Sequence, residues 1–175
     1  MKQSTILEVD TRIVTDEGRP WLSLRPYADL VSIKLLSTDP VRGEIIVVLR
    51  APPGIELPRH RTTGSMTVYT MQGRWKYRER DWVAGPGSLV IAPADSCLTP
   101  CVLGEGADDA IMLVLASGDV QCLDDAGHVL GVENWRTATD RHLEHCEAHG
   151  LDPGTVLPPS APLTVGRPQA GCRSI

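Results

Sequence analysis

The sequence predicts an all-β fold, a single antiparallel barrel or sandwich followed by one helix. Three observations carry this. Aliphatic and β-branched runs of strand length recur along the chain. Glycine and proline clusters separate them at about 8–12-residue intervals, the spacing of short antiparallel strands. With no Phe, four Trp and three Tyr, the core is left to Val, Ile and Leu, which favour sheet. A chain of 175 residues is one domain, with room for a tail.

The elements follow in order. Residues 11–15 and 31–36 read as strands, the second with partial period two. Residues 43–50 contain Ile45 to Leu49, a continuous run expected to be buried on both faces. Ala51-Pro52-Pro53-Gly54 stops it, and residues 65–72 form the next strand up to Gly73. Residues 74–83 alternate, with Trp75, Tyr77 and Glu79 on one face and Arg74, Lys76, Arg78 and Arg80 on the other. Residues 84–87 read as a turn, 88–92 as a strand and 93–96 as another turn. Residues 98–103 and 110–116 are strands, and 120–123 with 128–130 flank the hairpin signal Asp124-Asp125-Ala126-Gly127. A helix begins at Thr137, with Asp140 completing a capping box, and ends at Gly150. Residues 1–151 are then one domain. Residues 152–175, with five prolines, read as a mobile tail.

Composition excludes some functions. The net charge of -5 argues against nucleic acid as the main partner. No apolar run reaches the roughly 18 residues of a membrane span. Met1-Lys2-Gln3-Ser4 leads into Asp10, Arg12 and Asp16 without a signal-peptide apolar region, so a cytoplasmic location is expected. The cysteines at 97, 101, 122, 146 and 172 are odd in number and read as thiols. The Cys97-x3-Cys101 spacing has no second pair and does not describe a structural zinc site.

The segment from Gly54 to Gly73 carries a more specific pattern. Gly54, His60, Thr62, Met66 and Gly73 resemble the first cupin motif, in which a His-x-His pair and a Glu lie between two glycines. Gly85-Pro86-Gly87 and Pro93 resemble the start of the second. More narrowly, His60-Arg61, Tyr69-Thr70, Gly73-Arg74-Trp75, Tyr77, Glu79, Trp82-Val83-Ala84 and Pro86-Gly87-Ser88 are similar to one cupin branch. That branch contains 2,4'-dihydroxyacetophenone dioxygenase and the ChrR-like cupins. The resemblance implies a single cupin barrel, a double-stranded β-helix or jelly roll, with a C-terminal helix. It also implies a non-heme iron held by imidazoles and used to cleave a C–C bond next to a carbonyl. Here the sequence departs from the pattern. Thr62 stands in the second His position, Met66 in the Glu position and Thr67 where the branch often has a further His. Leu98 stands where the second motif has its His. The ancestral metal site is therefore expected to be lost, and no cofactor is expected. Iron on His60, Glu79 and Cys97 is the alternative.

The candidate site residues follow from the same positions. His60 and Glu79 are the expected acid–base pair, with Glu79 inward by alternation. Burial should raise the Glu79 pKa, and a nearby carboxylate should raise that of His60. A salt bridge from Glu79 to Arg59 or Arg61 is the structural alternative. Tyr69 and Tyr77 are expected to hydrogen-bond a substrate carbonyl or its enolate, and Trp75 to stack on a ring, with Thr62, Thr67 and Leu98 lining the pocket. Cys97 and Cys101 flank the lost His position, as inert buried thiols or as nucleophiles. His142, His145, Cys146 and His149 share one helix face. This is either a metal-binding spacing or a helix that packs Leu143 and Cys146 on the barrel with histidines at its edge. The leading function is a metal-independent isomerase, cyclase, dehydratase or decarboxylase acting on a keto or aromatic polyketide-like compound. The alternatives are an iron dioxygenase and a non-catalytic ligand-binding cupin. A homodimer through sheet edges is expected.

Overall fold

The computed structural model describes residues 13–104 and 108–154. Its strands are β1 (Leu22–Leu24), β2 (Ala28–Asp39), β3 (Glu44–Ala51), β4 (His60–Thr62), β5 (Met66–Gln72) and β6 (Trp75–Tyr77). They continue with β7 (Leu89–Ala92), β8 (Cys97–Leu98), β9 (Pro100–Val102), β10 (Ala110–Ser117), β11 (Val120–Leu123) and β12 (Val129–Glu133). One helix, α1 (Trp135–His149), follows. A six-stranded sheet has the order β1-β2-β3-β10-β5-β7 and a four-stranded sheet β12-β11-β4-β8, while β6 pairs with β9. All pairings are antiparallel. This is the jelly roll that the motif spacings imply.

One ribbon organises it. β4 pairs with β11 in the smaller sheet, and their continuations β5 and β10 pair in the larger one. The two chains therefore cross between sheets side by side. At the corner the Thr63 N–H donates to the Asp119 carbonyl at 2.9 Å, and the Ser117 N–H to the Ser65 carbonyl at 3.0 Å. The Asp119 N–H donates to Thr63 Oγ1 at 2.8 Å. There is no room for side chains here. A Cβ on Gly64 would meet the Ser117 carbonyl oxygen at 2.3 Å, and one on Gly118 would meet Thr63 Oγ1 at 2.4 Å. Gly118 also has a φ of 73°, in the left-handed region.

The core lies between the sheets. Leu22, Val31, Ile33, Leu35, Ile45, Val47, Met66, Val68, Met112 and Val114 are all buried there, at every second position along their strands. The opposite faces of β3, β5 and β10 point outward. Val48 is buried there but Ile46 is half-exposed, so residues 45–49 are not uniformly buried on both faces as expected.

Several boundaries differ from the sequence reading. Residues 13–15 form no strand, and residues 11–12 lie outside the described region. β1, between Pro20 and Pro26, is too short to show a period. The alternating segment 74–83 leaves the sheet after Tyr77: the Arg80 N–H bonds the Tyr77 carbonyl at 3.0 Å, and Trp75 and Ala84 exchange backbone hydrogen bonds at 3.0 and 2.8 Å. Residues 98–103 divide at Thr99, since β8 pairs with β4 and β9 with β6. The helix is capped by Asn134, which accepts from the Arg136 and Thr137 N–H groups, while Thr137 at N3 bonds back to the Asn134 N–H. Gly150 ends it in the left-handed conformation. The buried helix residues are Ala138, His142 and Cys146: Cys146 packs inward as expected, whereas Leu143 is exposed and His142 takes the inward place. Of the expected tail, residues 152–154 are described and 155–175 lie outside the described region.

The corner yields a quantitative expectation. Gly64→Ala should destabilise the fold by about 1–3 kcal/mol, because a backbone oxygen rather than a flexible side chain must move. Gly85→Ala, where the nearest atom is an Arg74 side-chain carbon at 4.0 Å, should be close to neutral. Urea unfolding of the two variants measures the difference.

Candidate functional site in the barrel cavity

A cavity of about 120 Å³ lies between the sheets. Its wall is mostly aliphatic, from Ile33, Ile45, Val47, Leu49, Met66, Val68, Met112 and Val114. The polar groups that reach it are His60, Tyr27, Tyr77, Cys122 and Glu133. Trp75 also lines it, with its indole N–H committed to Thr70 Oγ1 at 2.8 Å. Trp75 and Tyr77 meet edge to face at 5.1 Å, and Trp82 packs on both. A polar cleft of about 440 Å³ lies next to the cavity, lined by Glu56, Arg59, Arg78, Thr99 and Asp125. Tyr27, Leu57 and Pro58 border both spaces.

His60 opens β4 and is the one imidazole in the cavity wall. Burial pushes its pKa below the ordinary 6.5, outweighing the Pro58 carbonyl and the Glu79 charge, which act the other way. A neutral ring is thus the resting form at neutral pH, whereas the sequence reading expected a raised value. Across the ladder His60 faces Cys122 on one side and Leu98 on the other. Burial, with the Glu133 charge adding to it and Arg141 opposing, pushes the Cys122 thiol up to about 11. Burial first and Glu79 second push the Tyr77 phenol up to about 12. Both are protonated donors, and among the described residues the Tyr77 hydroxyl has no hydrogen-bond partner.

Glu79 is not where alternation placed it. It lies beyond the end of β6, exposed, and its carboxylate accepts the Thr99 N–H at 2.9 Å and the Thr99 hydroxyl at 2.8 Å. Desolvation pushes its pKa upward, but the Thr99 donors, its own backbone and the Arg78 charge bring it below the ordinary 4.5. The expected rise does not occur. No salt bridge joins it to Arg59 or Arg61 among the described residues. Arg61 instead donates to Gln121, and Arg59 to the Cys97 sulfur at 3.2 Å.

The remaining expected residues divide by parity. Trp75 and Tyr77 face the cavity. Thr62 and Leu98 are buried beside His60 but are not in the cavity wall, and the Thr62 hydroxyl has no partner among the described residues. Thr67 and Tyr69 point the other way, onto the outer face, because Met66 and Val68 between them line the cavity. Cys101 lies near Glu56 at 3.5 Å, outside the cavity, and burial first raises its pKa. On α1, His142 is buried and its Nε2 bonds the Pro153 carbonyl at 2.7 Å, while His145 and His149 stack at 4.2 Å.

The donors present do not fit a cupin iron. The two further imidazole positions hold Thr62 and Leu98, Glu79 is turned to Thr99, and Cys97 to Arg59. Among the described residues no three His, Cys, Asp or Glu side chains converge.

Sequence reading missed Tyr27, Cys122, Glu133 and Arg141. Arg141 donates to Glu133 at 2.8 Å and to the Arg25 and Ser23 carbonyls at 2.7 and 3.2 Å. It thereby ties α1 to β12 and to the turn that carries Tyr27. The Tyr27 ring lies where a Cβ on Gly131 would be, 2.2 Å from a ring carbon. Strand parity alone puts Cys122 on the face of Val120, but only long-range pairing brings it to His60.

The Glu79–Thr99 contact fixes a pH dependence. The folded pKa is depressed, so its stabilisation is present above the unfolded carboxylate range and lost as pH falls through the folded pKa. Glu79→Gln should cost about 1–2 kcal/mol at pH 7. In thermal melts the gap to wild type should close on acidification through the carboxylate range.

Comparison with known proteins places this geometry. No curated protein matches the chain. An RmlC-like cupin protein from Ralstonia eutropha is 41% identical, over 86% of this chain and 96% of that one, with a TM-score of 0.82. An acetylacetone dioxygenase from Acinetobacter johnsonii shares the fold at 14% identity, over 82% and 99%, with a TM-score of 0.71. The polyketide cyclase RemF from Streptomyces resistomycificus shares it at 19% identity, over 71% and 85%, with a TM-score of 0.52. Residues 10–120 match the model of the ChrR cupin-like domain, and the chain belongs to that family.

Proposed function

We propose that the chain is an enzyme acting on a small keto or aromatic compound in the barrel cavity, by acid–base chemistry and without a tightly held metal. The observation that carries this is one neutral imidazole and one unpartnered phenol in a mostly aliphatic cavity. The volume is on the order of a single ring or a short diketone. In this reading the neutral His60 ring takes a proton from the carbon next to the carbonyl. The Tyr77 O–H donates a hydrogen bond to the resulting enolate oxygen, and His60 returns the proton to carbon or to a leaving hydroxyl. Isomerisation, cyclisation and dehydration share this first step. Trp75 supplies a flat wall for an aromatic substrate.

Glu79 keeps a part in the pair as a positioning residue. Its charge raises the His60 pKa from outside the cavity, and its hold on Thr99 fixes the break between β8 and β9. Tyr27 and Cys122 supply further donors at the wall.

The step can be tested before any product is known. Hydrogen–deuterium exchange next to the carbonyl in β-diketones and hydroxyacetophenones, followed by NMR in D₂O, reads proton abstraction directly. Wild type should exchange faster than buffer and equally fast after chelator treatment. His60→Ala should lose about 10²–10⁴-fold. Tyr77→Phe should lose rate with the fold intact. Glu79→Gln should move the acid limb of the pH profile to lower pH, since removing a negative charge lowers the His60 pKa further. Ligand protection against melting without exchange would mean a binding cupin. Exchange lost with one stoichiometric metal per chain, removed by chelator, would overturn the metal-independent reading.

A further inference from the structure

Arg59 and His60 are neighbours in the chain and serve different spaces. His60 lines the cavity, and Arg59 lines the polar cleft of about 440 Å³ beside it. Successive residues of an extended segment point to opposite faces, so one short stretch reaches both. Pro58, just before them, borders both spaces together with Tyr27 and Leu57. The border between cavity and cleft thus lies within two residues of each side chain. The charged residues of the cleft are Arg59, Arg78, Glu56 and Asp125. Arg78 is paired with Glu56. Among the described residues Arg59 and Asp125 make no ion pair. Arg59 Nε donates to Cys97 Sγ at 3.2 Å, which holds the guanidinium in place. Its two Nη groups have no partner among the described residues. The nearby Glu79 carboxylate is taken up by Thr99. Two residues along their segments, Arg61 and Lys76 share the faces of Arg59 and Arg78 and add positive charge there, in a chain whose net charge is -5.

We propose that the cleft holds a carboxylate of the substrate on Arg59, so that the compound is a keto acid or an acyl-aromatic acid with its carbonyl in the cavity; this rests on the function proposed above and narrows its substrate class. A planar carboxylate matches the two Nη groups of a guanidinium end-on, with two parallel hydrogen bonds. The two spaces divide the molecule by polarity. The cavity, at about 120 Å³, has room for one ring or a short chain, and its mostly aliphatic wall would leave a carboxylate unpaired. The cleft is larger and polar, and takes the charged end. Glu56 and Asp125 limit the charge of the occupant. One guanidinium is left unpaired, which suits a monoanion, whereas both carboxylates repel a phosphate dianion. Cys97 is a positioning residue in this arrangement, because its sulfur fixes Nε and so aims the other two nitrogens. The carboxylate takes no part in bond making. It holds the carbonyl end against His60 and selects which carbonyl compounds stay there.

Calorimetric binding to the full chain at low ionic strength tests the subsite apart from turnover. The ligands are 4-oxopentanoate and 3-acetylbenzoate, each compared with its neutral amide. Wild type should bind the acids about 10-fold tighter than the amides, and added salt should weaken the preference. Arg59→Gln should bring the ratio close to one, and Arg59→Lys should keep part of it. Arg42→Gln, the same loss of charge between β2 and β3, should leave the ratio as it is. Glu56→Gln releases Arg78 and should raise acid affinity about threefold. NMR signals of the His60 ring should shift with the acids, because the carbonyl end enters the cavity. A wild-type ratio of one, or a ratio that folded Arg59→Gln preserves, would overturn the subsite even if diketones exchange at His60. Acid binding that leaves the His60 ring unmoved would do the same, as would inorganic phosphate that displaces 3-acetylbenzoate by binding more tightly. An acid preference that depends on Arg59 and moves the His60 ring supports the subsite even without deuterium exchange, and in that case it is the acid–base reading that fails.

Discussion

The contact between the corners at 63–65 and 117–119 is the constraint on which the rest of the structure depends. Two paired strands bend from one sheet into the other without losing their partner. Both glycines are needed because each corner lies in the space that the other's side chain would take. The bend turns one face of a single ribbon into two facing walls. His60 and Cys122 lie on one wall, and Met66 and Val68 on the other. A flat sheet would leave these residues in a line, and no cavity would exist. Site and fold therefore share one cause, and a change at the corner reaches His60 through three residues of chain.

Inside the cavity the low dielectric decides protonation. Burial acts on every titratable group in the direction of its neutral form, and here the ring, the thiol and the phenol all go that way. Glu133, at the same wall, pairs with Arg141 at 2.8 Å. The outcome is a site with one ready proton acceptor and several donors, set by packing rather than by a charged partner. The same burial would resist a metal cation unless anionic or imidazole ligands compensated it, and Leu98 and Thr62 offer no such compensation.

Most strands and the end of the helix were legible because each depends on a local pattern. The cupin spacing pointed His60 into the barrel, and it lines the cavity with Leu98 beside it in the register. The failures have particular causes. Met66-Thr67-Val68-Tyr69 alternates, and period two alone puts Thr67 and Tyr69 opposite Met66 and Val68; it is the motif position that placed them in the pocket. Glu79 was extrapolated from Trp75 and Tyr77 across a turn, where period two no longer holds. His142 lay hidden because helix burial follows Ala138, His142 and Cys146 at intervals of four, while Leu143 is the more hydrophobic residue. Tyr27, Cys122, Glu133 and Arg141 come from four separate elements, and no local rule joins them.

The two-sided apolar character of β5 and β10 also links the molecule's interior to its exterior. A strand with one polar face reports only on the core. These strands bear side chains toward the cavity and toward the outside in alternation, and both sets are largely apolar. Any force that orders one set acts through the same backbone on the other. Close packing transmits small shifts rather than absorbing them. A surface that holds Tyr69 and Leu115 in place therefore also fixes Val68 and Val114, and with them the distance from the aliphatic wall to His60. The absence of Phe adds weight to this, since a core of small aliphatic residues has more ways to repack around a cavity.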